Sequence, residues 1–167
     1  MSALQNEKSL TSLYRAPKIQ LGPLNIRTIA DDYQRVLGLD AQRGLELARM
    51  TKGYSFAVQV VGYFTWENAD SPEDGLRLAR RYLDDYAYDK VWSELSRKDQ
   101  EVLCGVAQVK LGRISEIREL LGLNTNEFNP YRQRLIRKGV ISSEERGYVR
   151  LLLPFFDQYI LAHCDLM

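Results

Sequence analysis

The chain has 167 residues, of which 45% are apolar, and a formal net charge of +1. This length fits one ordinary domain or two small ones, and the apolar content is typical of a chain that buries a core rather than a disordered one. Because the net charge is close to zero, any nucleic-acid site must come from local clustering of basic residues.

Membrane, metal and disulfide classes are not indicated. No apolar run approaches the roughly 20 residues of a membrane helix, and the N-terminal residues lack a signal-peptide pattern. Cys104 and Cys164 lie far apart without a CxxC motif, and His163 is the only histidine. We therefore expect two reduced, packed thiols, no bound metal, no membrane partner and a cytoplasmic location. A group of acidic residues is interpreted as a solvated helix face: Asp84, Asp85 and Asp89.

Helical segments dominate the first half of the chain. Residues 1–24 contain β-prone residues broken by prolines and glycine, which is typical of a strand end and a loop. Two amphipathic helices are then predicted, ended by Gly38 and Gly53. The next segment, "YSFAVQVVGYFTWEN", is apolar nearly all round, which predicts a central buried helix.

A fourth helix completes a predicted helical unit over residues 25–86. Ser71 is placed as its N-cap, Pro72 occupies the first helical position, and two acidic residues lie in the first turn. An aromatic series follows, and we expect it to pack between this unit and the next: Tyr82, Tyr86, Tyr88 and Trp92.

Residues 87–167 have the element order of a winged helix-turn-helix. A helix begins at a capping-box pattern formed by Ser96 and Asp99, and a short helix is stopped by Gly122. A third helix, within "NTNEFNPYRQRLIRKGVI", precedes two β-prone runs joined near Gly147 and a last helix from Pro154. The sequence thus predicts a mainly α protein with a small β-hairpin.

The third of these helices has a polar face suited to DNA. Steps of 100° per residue direct Asn126, Pro130, Gln133 and Arg137 away from the core. Amides and guanidinium groups can form paired hydrogen bonds with base edges in a major groove. Residues 129–150 contain six basic and two acidic residues, a local net charge of +4. The predicted DNA contacts are Asn126, Gln133, Arg134, Arg137, Lys138 and Arg146.

Other features of this region favour a protein partner. Pro130 offers only apolar contact, and Glu144 and Glu145 at the hairpin would repel phosphates. Arg132 has an alternative role as an ion-pair partner of Glu116 or Glu119. Winged helices also serve as protein-binding modules, so the fold does not assign the function.

Three stretches carry a family resemblance: "RAPKIQLGPLN", "ELARMTKGYSFAVQVVGYFTWE" and "YRQRLIRKGVI…RGYVRLLLPFFDQYI". Together they resemble the C-terminal part of a bacterial or archaeal AAA+ ATPase related to the origin-recognition family. The resemblance implies that residues 1–24 are a strand and loop remnant of an ATPase core. It also implies a helical lid over residues 25–86 and a winged helix over residues 87–167.

The nucleotide-binding half of such an ATPase is missing from the chain. There is no GxxxxGK[ST] motif, so we expect no ATP hydrolysis here, and ATP and magnesium are expected only for the full-length parent. Related lids carry Gly-x-Pro where this chain has Gly53, Tyr54 and Ser55, which implies that these residues lie near a nucleotide. Arg15 is either a residue that acts toward a neighbour's nucleotide or a surface charge.

The resulting functional prediction is a C-terminal regulatory fragment of a P-loop ATPase that binds double-stranded DNA. A winged helix that docks on another protein or on a second copy is the alternative. A stand-alone transcription regulator with a helical sensor unit is the third hypothesis.

Overall fold

The computed structural model describes residues 22–164, which are mainly helical with one two-stranded antiparallel sheet. Arg15 and nearly all of the predicted strand remnant lie outside the described residues. Within residues 22–164, no helix combines the length and the apolar character needed to cross a membrane.

Four helices form the N-terminal unit: α1 (Ile26–Leu37), α2 (Ala41–Met50), α3 (Ser55–Glu67) and α4 (Pro72–Leu83). Local signals explain their ends. The Asn25 side chain caps α1 by accepting hydrogen bonds from two backbone N–H groups, and Gly38 ends this helix with φ 67°. Ser71 precedes α4 as predicted, but its hydroxyl donates to Asp74 Oδ2 at 2.7 Å instead of accepting from a backbone N–H.

Helix α3 is not buried all round, so this part of the sequence prediction is wrong. Its inner face buries Ala57, Val60 and Val61. Its main neighbours among the described residues are α4 and α1. Tyr63 and Trp66 lie on the uncovered side and are exposed. An apolar sequence alone does not show which faces of a helix are covered by other elements of the fold.

Helix α4 continues without a break across the predicted unit boundary between residues 86 and 87. A π-helical turn, Asp84–Tyr88, follows it directly and leads into α5 (Asp89–Ser93). A π-helical turn contains one extra residue, which shifts the helix faces that follow it. Tyr88, at the end of this turn, is fully buried, whereas Tyr86 is 67% exposed.

The C-terminal unit contains α6 (Arg97–Gln108), α7 (Ile114–Leu121), α8 (Thr125–Arg137), β1 (Ile141–Ser142), β2 (Arg150–Leu151) and α9 (Phe156–Cys164). The strands pair antiparallel, with Ile141 opposite Leu151. The predicted hairpin is therefore present, but its strands are shorter than the β-prone runs.

The segment before α7 also joins this sheet. Arg113 forms an antiparallel bridge with Tyr148, and the Val149 N–H donates to the Gly112 carbonyl at 2.8 Å. A Cβ atom at position 112 would lie 1.9 Å from the Val149 carbonyl oxygen, so this approach requires glycine. The hairpin is thereby anchored to the start of α7.

A network of hydrogen bonds to backbone carbonyls joins the two units. Lys52, in the turn after α2, donates from Nζ to the carbonyls of Leu151 at 3.0 Å and Leu153 at 3.2 Å. The buried Tyr88 hydroxyl donates to the Pro154 carbonyl. Leu151 is the last residue of β2, and Leu153 and Pro154 lie between β2 and α9. Side chains from the turn after α2 and from the π-helical turn therefore donate hydrogen bonds to the carbonyls at this end of the hairpin.

The predicted aromatic packing between the units is present only in part. Tyr88 packs on Phe156 with ring centroids 4.9 Å apart, and Trp92 packs on Tyr159 at 6.1 Å. Tyr82 and Tyr86 instead lie on the outer side of the N-terminal unit. Tyr86 and Tyr88 both lie in the π-helical turn, whose extra residue changes the direction of the helix faces. Tyr88 therefore points inward, whereas Tyr86 points outward with Tyr82.

The two cysteines are joined in the structure, so the prediction of two free thiols is wrong. A disulfide links Cys104 in α6 to Cys164 in α9, with a Cα–Cα distance of 5.9 Å. The packing of α9 on α6 brings together residues that are 60 positions apart in sequence. Stable disulfides are rare in the reducing cytosol, so the cytoplasmic location remains only a prediction.

Replacing Tyr88 tests whether the two units unfold as one. Tyr88→Ala should lower the free energy of unfolding by about 3 to 5 kcal/mol, since it empties a fully buried aromatic site and leaves the Pro154 carbonyl without its donor. The exposed Tyr86→Ala is the control and should cost about 1 kcal/mol or less. Urea unfolding followed by circular dichroism measures both. Equal costs, or two separate transitions in the unmutated chain, would contradict this view of the junction.

The π-helical turn should also make stability depend on pH. Burial, together with repulsion from Asp85 and Asp89, raises the pKa of Asp84 from 3.8 to about 6. The folded chain then binds this proton more tightly than the unfolded chain, so its stability should fall as pH rises from about 4 to about 6. Asp84→Asn should remove this dependence and raise stability at about pH 7.5, whereas the exposed Asp70→Asn should not. Urea unfolding at several pH values tests it, and an unchanged profile in Asp84→Asn would refute it.

Candidate nucleic-acid interface

Helix α8 has the two faces that its sequence predicts. Phe128 and Leu135 are fully buried against the rest of the unit. Asn126, Gln133 and Arg137 are exposed on the opposite side. We call the exposed surface formed by Asn126, Pro130, Gln133 and Arg137 the α8 face. It combines amides and a guanidinium group, which can recognise base edges, with an apolar proline ring.

Two local features fix the start and the middle of α8. Asn124 and Glu127 form a reciprocal capping box, in which each side chain binds the other's backbone N–H. Pro130 lies inside the helix, where it has no N–H to donate. Because its ring is exposed, the proline adds an apolar element to the centre of the α8 face.

Arg134 differs from the other predicted DNA contacts. Its Nε donates to Asp99 Oδ1 at 2.9 Å, and the Asp99 side chain is only 2% exposed. Asp99 also accepts a hydrogen bond from the Ser96 hydroxyl at 2.7 Å. The Arg134 guanidinium lies over the Tyr131 ring as well. Arg134 therefore ties α8 to the start of α6, and a phosphate contact would require it to leave a buried carboxylate.

The remaining predicted basic contacts lie at the rim of the α8 face. Lys138 is exposed, and its Nζ donates to the Glu94 carbonyl at 3.1 Å. Arg146, at the tip of the hairpin, is exposed and makes no ion pair with any described residue. Arg150 pairs with Glu145 at 3.1 Å, which neutralises part of the acidic tip. Arg137, Lys138 and Arg146 are thus the cations that remain available to a phosphate backbone.

The alternative ion pair of Arg132 is not formed. Glu116 pairs with Arg113 at 3.2 Å, and the Arg132 Nε is buried without a hydrogen-bond partner in the described chain. Arg113 also lies over the Tyr148 ring at 5.9 Å, which reinforces the contact between α7 and the hairpin. The helix pair and the hairpin are consequently held as one surface.

The residues predicted to lie near a nucleotide occupy the turn between α2 and α3. Gly53 has φ 74°, and its carbonyl accepts from the Leu24 N–H at 2.9 Å. A Cβ atom there would lie 2.5 Å from the Leu24 carbonyl oxygen, so the glycine permits this backbone approach. Tyr54 is half-buried and Ser55 is exposed. The structure gives Gly53 a packing role in the turn and leaves Ser55 open to solvent.

Two other residues singled out in the sequence have structural partners. His163 stacks on the Tyr159 ring with centroids 4.1 Å apart and is not fully solvated. Asp89 accepts a hydrogen bond from the Tyr159 hydroxyl at 2.7 Å, so the acidic group is only partly a solvated face. Within residues 22–164 no cluster of three or more histidine, cysteine or acidic side chains is arranged to hold a metal ion.

Lys52 is the residue that sequence reasoning missed. It adopts φ 50°, a conformation rare for residues other than glycine, and its ammonium group bridges the two units. The pKa of Lys52 is lowered, because burial disfavours the charged ammonium group. The nearby carboxylate of Asp157 opposes this effect but is the smaller of the two influences. A lysine in a polar turn carries no sequence signal for this role, because its acceptors are carbonyls about a hundred residues away along the chain.

Comparison with known proteins gives a match to a family model. A family model described as a domain of unknown function, DUF8462, matches residues 85–160. No curated protein and no solved structure matches the chain. The matched range begins in the π-helical turn and ends in α9, so it includes the α8 face, the hairpin and most of the aromatic contacts between the units.

The two arginines of α8 should differ in their effect on stability. Arg134→Ala should cost about 1.5 to 3 kcal/mol, since it removes a charged hydrogen bond and leaves Asp99 buried without its cation. Arg137→Ala, three residues along the helix and exposed, should change stability by about 0.5 kcal/mol or less. Urea unfolding of both variants measures the difference. Equal effects would show that the Asp99 ion pair contributes little to the fold.

Proposed function

We propose that this chain is a C-terminal regulatory part of a P-loop ATPase in which a winged helix binds double-stranded DNA. The observation that carries the proposal is the α8 face, a row of amides and a guanidinium group on a helix with its opposite side buried. Lys138 and Arg146 flank this row. Such a helix can enter a major groove while the flanking cations contact phosphates.

The order and pairing of the elements support this proposal. A bridge before α7, two strands after α8 and the intervening helix pair match the arrangement in which a winged helix presents its recognition helix. Gln133 and Arg137 are then the base-reading residues, with Asn126 near the N-terminus of the helix. Arg134 is left out of this group because of its ion pair with Asp99.

The lid assignment of the N-terminal unit rests on the resemblance and belongs to the same proposal. In a full-length ATPase, the turn that contains Gly53, Tyr54 and Ser55 would lie near the nucleotide. The Lys52 hydrogen bonds join that turn directly to the hairpin, and the continuous helix from Pro72 to Ser93 joins the N-terminal helices to the rest of the chain. A change at the nucleotide would thereby move the α8 face together with the lid.

Docking on another protein is the second candidate, and Pro130 favours it. A proline ring at the centre of an exposed face offers apolar surface but no hydrogen bond to a base. Glu144 at the hairpin tip adds a negative charge that a phosphate backbone would repel.

DNA titrations distinguish the two candidates. Once a preferred duplex has been selected, Arg137→Ala should weaken binding to it by about 1 to 3 kcal/mol and relax its specificity. Lys138→Ala and Arg146→Ala should weaken all duplexes alike and reduce the salt slope by about one each, because they contact only phosphates. Arg35→Ala in α1, an exposed arginine of the other unit, is the control. Fluorescence anisotropy at several salt concentrations measures all four variants.

Failure of the unmutated chain to bind any duplex at low salt would refute the DNA proposal. Binding that persists unchanged when Arg137, Lys138 and Arg146 are all replaced by alanine would refute the assignment to the α8 face. In the first case, docking on another protein becomes the leading candidate.

A further inference from the structure

An exposed ridge of aromatic rings runs across α3, α4 and the π-helical turn. The aromatic ridge consists of Trp66, Tyr63, Phe64, Tyr82 and Tyr86. Successive ring centroids lie 6.4, 5.2, 5.7 and 4.3 Å apart, and the last pair is stacked. The rings thus support one another as a continuous surface instead of projecting singly.

The aromatic ridge leaves a large part of its apolar surface exposed to solvent. Trp66 is 65% exposed and Tyr63 is 50% exposed, and Tyr86 is exposed to a similar extent. Because an aromatic side chain has about 150 to 250 Å² of surface, the exposed rings together present roughly 400 Å². The largest apolar patch of a typical monomer covers about 300 to 600 Å² and often has a function.

The part of the chain that contains the ridge is acidic, which indicates the charge of its partner. Residues 63–89 contain seven acidic and three basic residues, a local net charge of −4. Arg77 pairs with Asp74 at 3.0 Å, Arg81 lies 4.0 Å from Asp85, and Arg80 lies over the Phe155 ring. The Tyr63 hydroxyl donates to Glu67 at 3.0 Å, which places a carboxylate beside the rings. This surface repels nucleic acid and attracts a cationic partner.

The α8 face has the complementary chemistry. Residues 129–150 carry a local net charge of +4, opposite to that of the ridge. Arg137 can stack on an aromatic ring and pair with a carboxylate at the same time. Pro130, which contributes nothing to base recognition, provides an apolar ring to pack against an exposed tyrosine or tryptophan.

We propose that the aromatic ridge of one copy of this chain binds the α8 face of a second copy. The inference uses the same face as the proposed function but does not require that DNA binds there. The two surfaces are different patches of the chain, so two copies can either contact each other reciprocally in a closed dimer or leave one ridge and one face free. In the second case, association extends beyond dimers, or closes into a ring, as concentration rises.

Sedimentation velocity over a range of concentrations tests the proposal. The unmutated chain should form concentration-dependent assemblies, and Trp66→Ala combined with Tyr86→Ala should weaken association by about tenfold or more. The control is Leu111→Ala combined with Leu120→Ala, which removes two exposed leucines from the α6–α7 region and should leave association unchanged. Circular dichroism of each variant verifies the fold.

Charge reversal distinguishes this specific contact from nonspecific hydrophobic association. Glu67→Arg reverses a ridge charge and Arg137→Glu reverses a face charge, so each variant alone should be monomeric. A mixture of the two should associate again, since the intact face of the first can bind the intact ridge of the second. A duplex that binds the unmutated chain should dissociate its assemblies.

Several results would overturn the proposal. These are a monomer at every concentration, assemblies that survive loss of Trp66 and Tyr86, equal weakening by the leucine control, or no recovery in the mixed sample. A failure to bind DNA, measured separately by fluorescence anisotropy, would refute the proposed function and leave the result for self-association intact.

Discussion

The structure depends on how the backbone between β2 and α9 satisfies its carbonyl groups. This short segment leaves the sheet after Leu151 and enters the last helix at Phe156. Lys52 donates to the carbonyls of Leu151 and Leu153, and the Tyr88 hydroxyl donates to the carbonyl of Pro154. Burial raises the pKa of the Tyr88 hydroxyl, which keeps it protonated as a donor.

Lys52 and Phe155, the non-glycine residues with positive φ in the described chain, both lie at this junction. Strained conformations persist where surrounding contacts determine them, and here those contacts join the two units.

The same junction sets the geometry of the candidate site. The hairpin is held from one side by Lys52 and from the other by the bridge between Arg113 and Tyr148. Helix α8 is held by Phe128 and Leu135 in the core and by the ion pair of Arg134 with Asp99. Its outer face is therefore presented on a rigid support, which suits recognition of a shaped partner. Two arginines three positions apart on one helix thus have different roles, because one faces a buried carboxylate and the other faces solvent.

The chain is nearly neutral overall, but two of its segments carry local net charges of opposite sign. Residues 129–150, which include most of the α8 face, carry a local net charge of +4, whereas residues 63–89, which include the aromatic ridge, carry −4. Surfaces of opposite charge on one molecule can recognise different partners or each other. The aromatic rings add apolar contact area that charge alone does not supply, and Pro130 adds a small apolar element on the basic side. The proposed DNA binding and the proposed self-association therefore use the same α8 face.

The sequence by itself determined the local structure. Asn25, Gly38, Ser96 and Gly122 mark helix ends through capping and left-handed turns that involve only neighbouring residues, and the period of apolar residues in α8 correctly separated its inner and outer faces. Tertiary structure decided everything that depends on which elements are neighbours. It left one side of α3 uncovered, turned Tyr88 inward and Tyr86 outward, engaged Arg134 with Asp99, and brought Cys104 to Cys164. It also gave Lys52 its acceptors. The physical reason is that capping and periodicity act over a few residues, whereas burial, ion pairing and disulfide formation depend on distances in space between residues far apart in sequence.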